Sequence, residues 1–411
     1  MNMKILFVVG SCLKSNSSAN LCHMAYIKGA LENGHEVEVL SVSDKDVPID
    51  EGIQLPKEIN WINYHSAFYT RYSYKKSLKN GYGTNIIRSG SDEKTEEINY
   101  KGIKSNIRNL KNKYIKSLGI FGFDTPWIKR AIHFRNREKY DMVISLAWPP
   151  ASHEATRILL EKKHIYTDCW CQIWEDPWYL DLWMDKDSKK YETEKRLISK
   201  ADKVMYVSPI TLKYQKEVFS EYAGKMFWEP LPFYYVDNDV TAKTEGTEKT
   251  FGYYGDYHPQ IRNLSEFYSA ARELEAYVNI FGNPSNLFEK TDKINISPRV
   301  GIETLKEAEK NTDIMVFVCN VKGGQIPGKL YQYSSTDKAI LFILDGTEEE
   351  IEEIRKYYER YHRYIFCRNE KEEIKHVMKK LIADETFDVV NERVEDFTPK
   401  NIFKRIMIEC M

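Results

Sequence analysis

The sequence predicts an α/β protein made of two Rossmann-like domains facing a cleft. Three observations carry that expectation. A chain of 411 residues is too long for one hydrophobic core. It opens on a β-α-β pattern: the apolar run Lys4–Val9, a helix over Leu21–Glu32 with Met24, Ile27 and Leu31 on one stripe, and a strand over Glu36–Ser41. A second such unit runs from Ile314 to Leu344, where Met315–Cys319 and Ala339–Leu344 read as strands buried on both faces.

Composition narrows the function classes. Lys and Arg number 60 against 61 Asp and Glu, a formal net charge of −1, so no global field points to nucleic acid. Seven cysteines, odd in number and scattered, together with the lack of a signal-peptide pattern, suggest reduced thiols in a cytoplasmic protein. Cys169-x-Cys171 has the wrong spacing for a zinc knuckle. No run of about eighteen apolar residues suits a membrane span. The 28 Tyr and eight Trp are numerous enough to supply stacking surfaces for sugars or lipid headgroups.

In the first half, Gly10–Asn20 is a small polar loop after the first strand, and Asn33-Gly34 closes the helix. The loop carries Gly10 and Ser18 either to a cleft or to plain surface. No G-x-G-x-x-G is present, so a dinucleotide is not expected. Residues 44–100 show no clear organisation. Lys101–Lys139 holds eleven Lys or Arg against two acids, with Ile103, Ile107, Leu110, Tyr114 and Leu118 at helical spacing and Phe121, Phe123 and Trp127 following. That pattern suits an anionic membrane surface, or a packed helix with solvated charges. Lys139–Ser145 is a strand leading into Leu146-Ala147-Trp148-Pro149-Pro150-Ala151-Ser152-His153-Glu154, a helix to about Lys163 and a strand near His164–Trp170. Then comes Glu175-Asp176-Pro177-Trp178. His153 follows a strand, where α/β sites are built, or is simply an N-terminal helix histidine. Asp176 is a site carboxylate or caps its own turn. Asp187–Lys200 is a charged helix and Ala201–Ser208 a strand. The polar run Asn238–Thr250 marks the boundary, giving domains over 1–236 and 237–395 and a final helix over 396–411.

In the second half, Phe251–Gly255 is a strand into a glycine turn, Leu264–Ala276 a helix, and Ile294–Val300 holds another strand. Arg262 stands near a helix start, where it opposes the dipole; a bound anion would relieve that. Gly323-Gly324 follows the strand Met315–Cys319, Pro327 suits a first helical turn, and Lys329 lies one turn in. Backbone N–H groups at such a turn form a phosphate site.

These segments, in this order, resemble family-4-like glycosyltransferases of the GT-B fold. Asn33-Gly34-His35-Glu36-Val37-Glu38-Val39 resembles that family's opening N-G-H-x-V-x-V turn. Pro149–His153 and Asp176-Pro177-Trp178 resemble its P-P-x-S-x-H and D-P-W turns. Pro327-Gly328-Lys329-Leu330-Tyr331-Gln332-Tyr333 resembles its P-x-K-x-x-E-Y segment, with Gln332 in place of the usual Glu and Gly324 where an earlier Glu often stands. The resemblance implies that Gly255, Arg262, Val300, Gly323, Gly324, Gln325, Ile326, Lys329, Gln332 and Tyr333 bind a UDP- or GDP-sugar donor. Gly10, Ser18, Trp148 and Trp178 would line the acceptor side, and His153 and Asp176 would be catalytic. It further implies sugar transfer with retention, without a metal or other cofactor, to a glycan or lipid-linked acceptor in cell-surface polysaccharide synthesis at the inner face of a membrane. A catalytically inactive partner subunit and a nucleotide-sugar epimerase are the alternatives.

Overall fold

A computed structural model describes residues 2–68, 70–72, 114, 117–182, 186–234, 248–282, 287–322 and 324–411. The basic helix expected from Ile103 to Leu118 falls almost wholly outside that set, as does Gly323.

Two parallel sheets are present. The first orders its seven strands β3-β2-β1-β4-β5-β6-β7. These are β1 Lys4–Val9, β2 Glu36–Val42, β3 Asn60–Tyr64, β4 Lys139–Ala147, β5 Tyr166–Trp174, β6 Lys203–Tyr206 and β7 Met226–Trp228. The second orders its six as β10-β9-β8-β11-β12-β13. Its strands are β8 Thr250–Tyr254, β9 Tyr277–Gly282, β10 Ile294–Pro298, β11 Ile314–Val318, β12 Ala339–Leu344 and β13 Ile365–Arg368. In both, the chain steps outward from a central strand and then resumes on that strand's other side. The order reverses between β1 and β4 in one sheet and between β8 and β11 in the other. Helix-covered parallel strands must be apolar on both faces: Ile5–Val9 and Ile314–Val318 are buried throughout. This is the doubly wound arrangement in each half, and together they make the GT-B fold.

The helices are α1 Ser18–Glu32, α2 Thr125–Ala131, α3 Ala151–Glu161, α4 Ser188–Lys200, α5 Pro209–Val218, α6 Ser265–Glu273, α7 Ile302–Lys310, α8 Lys329–Tyr333, α9 Glu348–Glu359, α10 Lys371–Ile382 and α11 Pro399–Cys410. Helix α1 starts at Ser18, three residues before the expected Leu21, because the Ser17 side chain accepts from Asn20 N and caps it. The α9 start carries a full capping box between Thr347 and Glu350. Helix α11 returns to the first sheet: Phe403 packs on Phe7 with ring centroids 6.1 Å apart, and Asn33 Nδ2 donates to Lys400 O at 2.9 Å. One hydrophobic cluster, including Tyr26, Ile210, Leu231, Leu330, Phe342 and Phe403, runs across the junction of the two halves.

Three expectations about elements need correction. The expected Ala201–Ser208 strand is shorter, Lys203–Tyr206, and a further strand, β7, lies outside it. Pro327 is not in the first turn of a helix, since α8 begins at Lys329 with Gly328 as its N-cap. The strand β3 emerges from the stretch that showed no organisation; its residues are exposed or half-buried, which is why no apolar pattern marks them. Among the described residues, no helix is long and apolar enough to cross a membrane.

Candidate functional site

In open parallel sheets, ligands sit beyond the carboxyl ends of the strands where the strand order reverses. Here both reversal points point into one junction. From the first sheet come the loops after β1, β4 and β5; from the second, the loops after β8 and β11.

The junction is closed by a few specific contacts. Gln325 Nε2 donates to Asp176 Oδ1 across it. Ser208 Oγ donates to Gly324 O at 2.6 Å. Gly324 has φ +64, and a Cβ there would stand 2.2 Å from Ile210 Cγ2, so only glycine fits the close approach. Ser18 Oγ and Cys22 Sγ of α1 approach the Gly328 position to within 3.4 and 3.6 Å of where a Cβ would be. Gly10 is similarly tight against Pro149.

Arg262 is held with its guanidinium toward this contact. Its Nε donates to Asn320 Oδ1 at 3.1 Å and its Nη1 to Asp256 O at 2.9 Å. Asn320 in turn donates to Gln325 O at 3.0 Å. Burial raises the Asp176 pKa, while Gln325 and the Arg262 charge oppose that rise. The result is a polar constellation of Asp176, Gln325, Asn320 and Arg262 spanning both halves. Asn320 was not among the expected residues; it lies two residues past the end of β11, a position that could have flagged it.

Beside it, a small pocket opens between the ends of β8 and β11. Gly255, Arg262, Pro327, Lys329 and Tyr333 contribute to its lining, with Tyr253 and Tyr254. Four of the expected donor residues therefore meet in one place. Lys329 is already paired: its Nζ lies 3.0 Å from Glu309 Oε1, a side chain only 6 % exposed. Burial disfavours the ammonium, but Glu309 and Tyr234 outweigh it, and the pKa is raised. Tyr333 OH accepts from Tyr254 N at 3.1 Å.

Other expected residues sit elsewhere. His153 is fully buried inside the first half, its Nδ1 2.7 Å from Ser145 Oγ and its ring 4.3 Å from that of Trp174. Burial, then neighbouring His23, pushes its pKa well down. It does not reach the cleft surface, so contact with a transferred sugar is not what its position offers. Gln332 is 1 % exposed; its Oε1 accepts from Tyr234 N at 3.3 Å, and its Nε2 donates to Ser335 Oγ. It secures the segment joining the two halves and does not face the pocket. Trp178 is buried against Phe121, ring centroids 5.5 Å apart, while Trp148 is half-buried. Val300 immediately precedes the Gly301 turn, whose neighbour Ile302 N donates to Asp50 Oδ2 at 3.0 Å, so Val300 lies at the contact with the loop after β2. Ile326 is buried next to the Asn320–Gln325 contact.

No protein-family model matches the chain, and no curated protein matches it in sequence. Solved structures do match in fold. Sucrose-phosphate synthase from Thermosynechococcus elongatus superposes with a TM-score of 0.59 at 12% identity, over 100% of this chain and 95% of that one. The lipopolysaccharide outer core galactosyltransferase WaaB, in its apo form, gives 0.51 at 14% identity over 99% of each chain. Arabidopsis thaliana UGT89C1, complexed with UDP-L-rhamnose, gives 0.53 at 8% identity over 100% of each. At these identities the likeness establishes the two-domain fold.

Proposed function

We propose that this protein is a glycosyltransferase that moves a sugar from a nucleoside diphosphate sugar to a hydroxyl of a glycan or lipid-linked acceptor. The observation that carries the reading is the constellation at the junction: Asp176 from the first half meets Gln325 and the Arg262 charge from the second, beside a pocket at the strand-order reversal. The fold neighbours named above, a sucrose-phosphate synthase, a galactosyltransferase and a protein solved with UDP-L-rhamnose, support it.

In this reading the second half holds the donor. Arg262, a bidentate donor, and Lys329 face the diphosphate and stabilise the charge that builds on it as the sugar departs. Those cations would do the work that a metal does elsewhere, and transfer is metal-independent and retaining, as the motif resemblance implies. The acceptor approaches from the loops after β1 and β4. Asp176 orients its hydroxyl or takes its proton. The basic, aromatic stretch 101–139 would bring a lipid-linked acceptor at the inner face of a membrane into reach.

Two observations favour a second reading, a binding subunit without turnover. Gln332 replaces the usual carboxylate and is buried in a structural contact, and Lys329 is already neutralised by Glu309. Isothermal titration and turnover on wild type, Arg262→Ala and Asp176→Asn separate the two. The transferase reading expects Arg262→Ala to weaken donor binding and Asp176→Asn to keep it while losing about a hundredfold in rate. Donor binding with no turnover by wild type, for any acceptor offered, supports the second reading.

A further inference from the structure

Directly behind Asp176, a group of polar atoms is buried with no ordinary partner. His23 on α1 is 0 % exposed and neither ring nitrogen makes a hydrogen bond of regular geometry. Its Nε2 lies 3.3 Å from Glu175 Oε1, which is itself unpartnered in a side chain 8% exposed. Unpaired buried polar atoms are expensive, and two that lie 3.3 Å apart would both be satisfied by one shared proton after a small rotation of either side chain.

We propose that Glu175 and His23 form a neutral proton-sharing pair, with the Glu175 carboxyl O–H donating to His23 Nε2, and that this pair positions neighbouring Asp176 as the one ionised carboxylate at the cleft. The proposal rests on the role given to Asp176 above.

The alternative for these two groups is an imidazolium–carboxylate ion pair. The surroundings argue against it. Helix α1 presents Cys22 and Tyr26 to this region, both uncharged, and α3 presents His153, whose Nε2 is also unpartnered. Among the described residues, no Lys or Arg bonds to Glu175, and the Arg262 charge acts on Asp176. The adjacent Asp176 charge repels a second negative charge on Glu175. An ion pair there would bear two desolvation penalties with no further hydrogen bonds to offset them. The directions agree with neutrality: burial first, and Asp176 second, push the Glu175 pKa well up, and burial lowers that of His23 to about 3 although the Ala147 backbone pulls the other way. Two consecutive carboxyls thus face different neighbours across one turn, Glu175 turning inward to His23 and Asp176 to Gln325 at the junction. Separating paired carboxyls by environment is how a site assigns a single base.

The test has a spectroscopic arm and a kinetic arm. Infrared difference spectra of wild type minus Glu175→Gln at pH 7 should contain a protonated-carboxyl band, and the His23 imidazole resonances should stay flat from pH 5 to 8. An ionised-carboxylate difference, or a His23 titration in that range, overturns the proposal. If Glu175→Gln does not fold, the wild-type resonances decide alone. For the kinetic arm, His23→Ala should lower kcat about tenfold and shift the acid limb of the pH profile, with donor KM unchanged. A loss confined to KM, or an unmoved profile, removes the positioning role. If wild type transfers no sugar to any acceptor while the carboxyl band is present, the pair stands and the transferase reading fails.

Discussion

Gly324 shows how much of the junction rests on single atoms. Its φ of +64 is a left-handed conformation, and its missing side chain leaves room for Ile210. Gly324→Ala should cost about 2 to 4 kcal/mol, from backbone strain and from the clash together. Chemical denaturation measures this, and an unchanged midpoint would mean that the two halves do not pack here. Glu194 gives a pH signature. It is fully buried, and its Oε2 accepts from Tyr179 N at 2.6 Å, yet burial lifts its pKa from 4.5 to about 7. A carboxyl whose folded value is raised lends its stability below the unfolded value and loses it as pH rises through the folded one. Glu194→Gln should therefore flatten the loss between pH 4.5 and 8 and be more stable than wild type at pH 8 by up to about 3 kcal/mol. Parallel stability–pH curves for the two proteins would contradict this. At this scale the sequence was informative where a residue type follows a strand: Gly255, Arg262 and Lys329 do meet in one pocket. It was silent on side-chain direction. His153 also follows a strand, but points inward to Ser145, and His23 and Glu175 carry no spacing that announces their contact.

Among elements, the interior strands were legible, and of the edge strands only β10 was. β1, β4, β11 and β12 are runs of apolar residues because helices cover both faces. β3 and β13 alternate or mix exposure, and β7 has three residues, so their patterns are weak. Terminal helix α11 is seated on α1 through a glycine: a Cβ on Gly29 would stand 2.2 Å from Pro399 O, a backbone atom that has no rotamer to escape into. Gly29→Ala should destabilise by about 1 to 3 kcal/mol and hasten proteolysis of the C-terminal segment. Wild-type protection of that segment in the variant would show that the helix is held by its other contacts, Phe403 on Phe7 above all. Lys329 illustrates the same interplay between elements. It leads α8, but its partner Glu309 belongs to α7, so Lys329→Ala strands a buried carboxylate and confounds binding with stability.

For the molecule as a whole, the central claim is that two doubly wound halves share one anion-binding junction. Arg262 is the better probe of it, because its partners are an amide and a carbonyl that water can satisfy after truncation. The most direct measurement is thermal stabilisation by UDP, GDP, dTDP and their sugars, on wild type and Arg262→Ala. A nucleotide at a hundred times its dissociation constant should add about 2.7 kcal/mol to wild-type stability. The account predicts such a shift from one nucleotide class and its loss in Arg262→Ala. No shift from any of them, or an equal shift in the variant, would contradict a donor site at this junction.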